Sequence, residues 1–196
     1  MDKEIEMFQK DVEALMLRRI FEEIFGFNHK GGHPFSSAFS FPQTANYASW
    51  VEKKIHSKGF TGKIGRSGAS LYDQIIAHES IPSTGKADES SVNGFYLIGD
   101  SLGQIIYIGK SCANFREKSK DIVVYRIIDH LIPPSFNKLQ NTPEIWESIR
   151  SGNKVQVLYY SGMNRLIPSV IELYILNKYY QRYGSVPQLN KPRRKR

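Results

Sequence analysis

The sequence predicts an α+β domain over residues 93–190, and three observations lead there. Residues 94–98 and 104–108 are short apolar runs separated by the turn residues Asp100 to Gly103, which together read as a hairpin. Residues 123–132, 143–150 and 169–183 read as helices; Pro133 and Pro134 stop the first and Gly152 follows the second. Residues 154–160 form a further apolar run of strand type. The order from Gly94 is therefore strand, strand, helix, helix, strand, helix.

The first 92 residues predict a mainly helical extension. Ile5, Phe8, Val12, Leu15, Leu17, Ile20, Phe21 and Ile24 recur at three- and four-residue intervals, so residues 3–26 read as an amphipathic helix that Gly26 ends. Residues 28–44 are rich in Gly, Ser and Pro and read as a long loop. Short helices follow at residues 47–56 and 71–78, separated by the glycine-rich stretch at 59–70. Residues 80–93 have linker composition, and the domain boundary is placed there. The last six residues, with five cations, form a basic tail.

Composition narrows the class. The chain has 196 residues, 40% hydrophobic and 23% charged, within ordinary globular usage. No uncharged apolar run reaches the roughly 18 residues of a membrane helix, and the acidic start is unlike a signal peptide. A cytoplasmic protein with no membrane partner is expected. The single cysteine, Cys112, excludes an intramolecular disulfide framework and an all-cysteine zinc site.

Charge points to a partner. Residues 1–92 hold 11 basic and 12 acidic side chains, which leaves 16 basic and 7 acidic in residues 93–196, a net of +9. An excess confined to one half attracts a polyanion such as nucleic acid. Lys63 and Arg66 in the glycine-rich stretch, with Lys110, Arg116, Lys118 and Lys120, are the candidate DNA contacts.

Three local patterns bear chemistry. Tyr96 and Tyr107 sit on the two arms of the hairpin, and Gly109 and Lys110 follow the second. Arg126 and His130 lie four apart on one helical face. Glu172 has Pro168, Ile175, Leu176 and Tyr179 at helical spacing, which puts a carboxylate on an apolar stripe. Such a group needs a cation, a metal or hydrogen bonds to compensate it. A salt bridge and a metal ligand are both open readings.

Together these residues resemble the GIY-YIG endonuclease superfamily. The first name-giving motif stands as Gly94-Phe95-Tyr96, with Phe for the usual Ile, and the second as Tyr107-Ile108-Gly109. Lys110, then Arg126 with His130, then Glu172, then Asn190 in Pro187-Gln188-Leu189-Asn190 follow in the family order. The resemblance implies a three-stranded antiparallel sheet flanked by helices and a metal-dependent endonuclease acting on double-stranded DNA. It implies Tyr96 as general base, Glu172 as ligand of a divalent cation (Mg²⁺ or Mn²⁺), and Arg126 as phosphate clamp. Lys110 supports the base, His130 assists within the site, and Tyr107 and Asn190 orient neighbouring groups. Gly109 is expected to let backbone and DNA approach closely.

The family arginine usually follows the second motif's glycine by about eight residues. Here Arg116 comes seven after Gly109 and Arg126 seventeen after. Arg126 is preferred for its pairing with His130, which makes residues 111–125 an insertion of the kind found in restriction-enzyme members. An extension before the module, and a single cysteine that cannot build a zinc domain, favour a type II restriction endonuclease, possible as a homodimer. A phage- or mobile-element-type nuclease of low specificity and an inactive DNA-binding protein are the alternatives. RNA as substrate stays open.

Overall fold

A computed structural model describes residues 3–16, 35–57, 71–82, 93–112, 122–136, 142–162 and 167–191. In these the elements are α1 (Lys3–Met16), β1 (Phe35–Phe41), α2 (Tyr47–Ser57), α3 (Leu71–His78), β2 (Gly94–Gly99), β3 (Ile105–Ser111), α4 (Ile122–Leu131), α5 (Pro143–Arg150), β4 (Val155–Ser161) and α6 (Ile167–Tyr183). A 3₁₀ turn at Gln188–Asn190 follows. The α+β class is as expected. The strand count is not: the sheet has four antiparallel strands in the order β1-β4-β2-β3.

The additional strand is β1, inside the segment expected to be a loop. Its sequence, FSSAFSF, is rich in serine and reads as turn-forming. Pairing with β4 from Phe35↔Ser161 to Phe41↔Val155 supplies the backbone partners that local propensity does not. Helix α1 is described only to Met16, and the remainder of the expected helix lies outside the described residues. So do the greater part of the linker and all but the first residue of the basic tail.

Helices cover both faces of the sheet. Strand β2 is buried at all six positions, which is why its sequence is continuously apolar instead of alternating. Tyr96 and Ile98 face one core with Tyr47, Ile75, Ile127, Trp146 and others from α2, α3, α4 and α5. Phe95 and Leu97 face a second core with Ile5, Phe8 and Val12 of α1 and Ile167, Ile171 and Ile175 of α6. The apolar stripe of α1 is thus buried within the protein, and Glu4 Oε2 accepts a hydrogen bond of 2.7 Å from the Ile105 amide.

Strand β3 lies at the sheet edge, next to β2 on one side only. Successive residues on a strand point to opposite faces. Around an edge strand, side chains from the two faces can approach one another without a neighbouring strand between them.

Candidate active site

The hairpin register builds the site floor. Tyr96 pairs with Gly109 and Ile98 with Tyr107, so both tyrosines stand on the α4 face. Their ring centroids are 6.1 Å apart. A Cβ on Gly109 would come within 2.6 Å of Tyr96 Cζ and 2.7 Å of Tyr107 Cε1. The space of the glycine's absent side chain is therefore filled by two phenol rings. Gly94 is required for a separate reason: a Cβ there would fall on the carbonyl oxygen of Tyr160.

Helix α4 brings His130 onto these rings. Its imidazole lies 4.7 Å from the Tyr107 ring, centroid to centroid, and its Nε2 is 2.8 Å from Tyr96 Oη. Tyr96 and His130 are buried, at 1% and 3% exposure. Burial pushes the Tyr96 phenol well above its ordinary value, with the neighbouring Tyr107 adding to the effect. Burial, and then the Arg126 charge, lower His130 from 6.5 to about 3, so the ring is neutral at physiological pH. Tyr107 is half-buried; burial raises its phenol too, while Arg126 pulls it down.

Arg126 is the partly exposed cation of this cluster. Its Nη1 donates to Asp129 Oδ2 at 3.4 Å, and its charge acts on Tyr96, Tyr107 and His130. Arg116 lies outside the described residues, as do Lys63, Arg66, Lys118 and Lys120. Of the two candidate arginines, Arg126 is the one whose placement beside the tyrosines is described.

Glu172 and Lys110 come from the opposite face. Lys110 pairs with Phe95, whose side chain enters the second core, and its Nζ meets Glu172 Oε2 at 2.9 Å. The buried stripe of α6 runs through Ile167, Ile171 and Ile175, and Glu172 borders it with 22% exposure. The carboxylate acts on the Tyr107 phenol around the edge of β3. Asn190 fixes that edge. Its Nδ2 donates to the Ile108 carbonyl at 2.7 Å and its Oδ1 accepts from the Ile108 amide at 2.8 Å, so one side chain replaces a missing strand. Asn190 thus touches the backbone between Tyr107 and Gly109.

Among the described residues no group of three or more His, Cys, Asp or Glu converges to hold a metal. Asp129 is engaged by Arg126 and Tyr72, and the other carboxylate is the partly exposed Glu172, which already compensates one cation in the Lys110 ammonium. A hydrated Mg²⁺ is commonly held by one or two carboxylates together with substrate phosphate. The residues fit that sparse mode.

Two participants were not legible in the sequence. Thr142, fully buried, places its hydroxyl against His130 Nδ1. It occupies the N-cap position of α5, and nothing in the spacing says that its hydroxyl leaves the helix uncapped. Asp129 accepts from Tyr72 Oη at 2.7 Å, while Tyr125 Oη donates to Asp73 at 2.6 Å. These reciprocal bonds tie α3 to the helix that carries Arg126 and His130.

A separate cleft of about 500 Å³, lined by Gln43, Asn46, Glu52, Arg150 and Lys154 among others, contains none of the site residues. No helix among the described residues is long and apolar enough to cross a membrane. Comparison with protein-family models, curated proteins and solved structures finds no match to this chain.

Proposed function

We propose that this chain is a metal-dependent endonuclease that hydrolyses phosphodiester bonds in double-stranded DNA, of the type II restriction kind. One observation carries the reading. Tyr96, Tyr107, Arg126 and His130 act on one another on one face of the hairpin, and Glu172, paired with Lys110 from the other face, acts on Tyr107. Phosphodiester cleavage needs a base for water, positive charge at the phosphoryl oxygens and stabilisation of the leaving oxygen.

Arg126 binds a non-bridging phosphate oxygen, and its partial exposure leaves it within reach of a strand. The attacking water enters at Tyr107, the more accessible of the two phenols, because Tyr96 is covered. The water's proton passes to the phenol pair, and Tyr96 gives up its own proton to His130 Nε2. The hydroxide attacks phosphorus and the bond to the leaving 3′ oxygen breaks. Burial is the larger cause of the low His130 value and the Arg126 charge the smaller; a phosphate bound on Arg126 offsets the second of these and so raises the basicity of the ring in part. Glu172 is the residue that would hold a Mg²⁺ or Mn²⁺ ion, which would supply charge neutralisation at the phosphate and leaving oxygen. Lys110 supports the same region as a second cation.

The restriction assignment is favoured by the fusion of the preceding elements with the module. Strand β1 extends the sheet and α3 grips α4, so added surface is rigidly joined to the site. Two sites, and hence a homodimer, suit double-strand cleavage of a palindrome. Cytoplasmic action follows from this role.

The test is digestion of unmethylated DNA with Mg²⁺ and with EDTA, alongside Tyr96→Phe and Glu172→Ala. Discrete fragments that need Mg²⁺ and vanish in both variants are expected. A smear that vanishes in both variants would retain the nuclease and remove the restriction assignment. Intact DNA with salt-sensitive binding would leave a DNA-binding protein.

A further inference from the structure

The two edges of the sheet are finished differently. On β3 the Asn190 side chain meets both backbone groups of Ile108. Strand β1 stands at the other end of the order β1-β4-β2-β3, and among the described residues it pairs with β4 alone. Alternate amides and carbonyls of such a strand point away from the sheet and offer a template for a further strand. Protected edges carry a charge, a proline or a bulge. Phe35–Phe41 reads FSSAFSF, without a charge or a proline, and its register with β4 is unbroken from Phe35↔Ser161 to Phe41↔Val155.

The strand is held in place from one face only. Phe41 is buried, and Phe39 packs against the first core, edge-on to Tyr159 at 6.3 Å. Ser36 and Ala38, paired with Tyr160 and Leu158 of the second core, are nevertheless exposed. The extended backbone is therefore fixed before a partner arrives, which removes most of the ordering cost of adding a strand.

The residue order selects the occupant. Read backwards, FSSAFSF becomes FSFASSF, which differs only by exchange of residues 37 and 39. Antiparallel pairing of two copies about Ala38 sets position 35 against 41, Ser36 against Ser40, Ser37 against Phe39 and Ala38 against itself. It is the one self-pairing that uses all seven residues. Such a contact is isologous, and with β3 blocked at Ile108 the assembly closes at two.

We infer that β1 is a homodimer interface, through which two copies pair antiparallel about Ala38 and form one eight-stranded sheet. The pairing follows from the strand itself. Its use rests on the nuclease reading: a two-fold axis normal to the sheet leaves both Tyr96–His130 clusters on the same face, near its two far edges. At about 4.8 Å per strand they lie roughly 30 Å apart, comparable with one turn of duplex DNA, about 34 Å.

The experiment places cysteines along β1 of the full-length chain in a Cys112→Ser background, which removes the single native thiol. Directly opposed residues of an antiparallel pair have Cα atoms about 4.5–5.5 Å apart, within reach of a disulfide. Ala38→Cys is expected to oxidise to a covalent dimer. Ser36→Cys alone is expected to stay monomeric on a non-reducing gel, and to cross-link when mixed with Ser40→Cys. In sedimentation the unsubstituted protein is expected to be dimeric. Ala38→Lys sets like charges opposite each other and is expected to weaken association on the order of 10-fold, with an unchanged thermal midpoint. Any one of four results would overturn the inference: a monomer at every concentration, a dimer that Ala38→Cys does not cross-link, Ser36→Cys cross-linking to itself, or growth beyond two copies. Sedimentation of the unsubstituted protein decides even if a variant does not fold. DNA left intact by a protein that dimerises through β1 would defeat the nuclease reading alone.

Discussion

The phenol ring of Tyr96 lies over Gly109, its directly paired neighbour on β3, in the space where any other residue would place a Cβ. This packing lets Tyr96 Oη reach His130 while Tyr107 closes over the same glycine from its own strand. The glycine belongs to the site as a shape, not as a flexible point of the chain.

Gly109→Ala tests that relationship. The methyl group would sit 2.6 Å from Tyr96 Cζ, so the rings must shift or the hairpin must open. Overpacking of this kind costs about 1–3 kcal/mol. The urea midpoint is expected to fall accordingly, and cleavage is expected to fall by more than the stability loss accounts for. Unchanged stability and cleavage would mean that the rings tolerate displacement.

The buried histidine predicts an acid limb in the stability profile. His130 titrates near 3 in the folded protein, against 6.5 for an unperturbed ring, so the unfolded chain binds the proton first as pH falls. Stability contributed by the neutral ring is present above pH 6.5 and is lost between pH 6.5 and about 3. Urea unfolding at steps across this window should show a limb that flattens by up to one proton in His130→Gln. An identical slope in the variant would place the acid sensitivity elsewhere.

Glu172 and Lys110 form an ion pair that is partly open to solvent, with 22% and 38% side-chain exposure. Exposed pairs contribute about 0–1 kcal/mol. Glu172→Gln is therefore expected to leave the thermal midpoint nearly unchanged while abolishing cleavage. A large stability loss with retained cleavage would make the pair a structural feature.

Asn190 predicts a local effect at one amide. Its two hydrogen bonds to Ile108 close the open edge of β3, and Asn190→Leu removes both. Net loss per bond is about 0.5–1.5 kcal/mol. Hydrogen exchange at the Ile108 amide should accelerate, with little change at Leu97 on the paired strand. Equal acceleration at both would indicate global destabilisation instead.

Tyr72→Phe bears on the coupling of the extension to the site. The hydroxyl holds Asp129, which in turn accepts from Arg126. Its removal is expected to cost about 1 kcal/mol and to weaken DNA binding more than it slows cleavage at saturating DNA. A purely catalytic defect would contradict this chain of contacts.

Much of the fold was legible in residue pattern. The limits of α3 and α5 agree with the sequence reading; β2 ends one residue later than read, β3 starts one residue later and ends three later, and the final helix starts two residues earlier. Strand and helix periodicity is local, so it reports which residues face inward. The candidate residues were legible because their spacing on each element is local too: Tyr96 and Tyr107 on two arms, Arg126 and His130 on one turn of helix.

What the sequence determined by itself was this set of elements, the uneven charge and the identity of the side chains with chemistry to offer. Tertiary structure decided which of them meet. Serine-rich β1 became a strand because β4 offered a partner about 120 residues away. Thr142 left its helix cap for His130, and Glu172 found Lys110, because the sheet ends at β3. Local propensity carries no information about such partners; burial and the need to satisfy each polar group do.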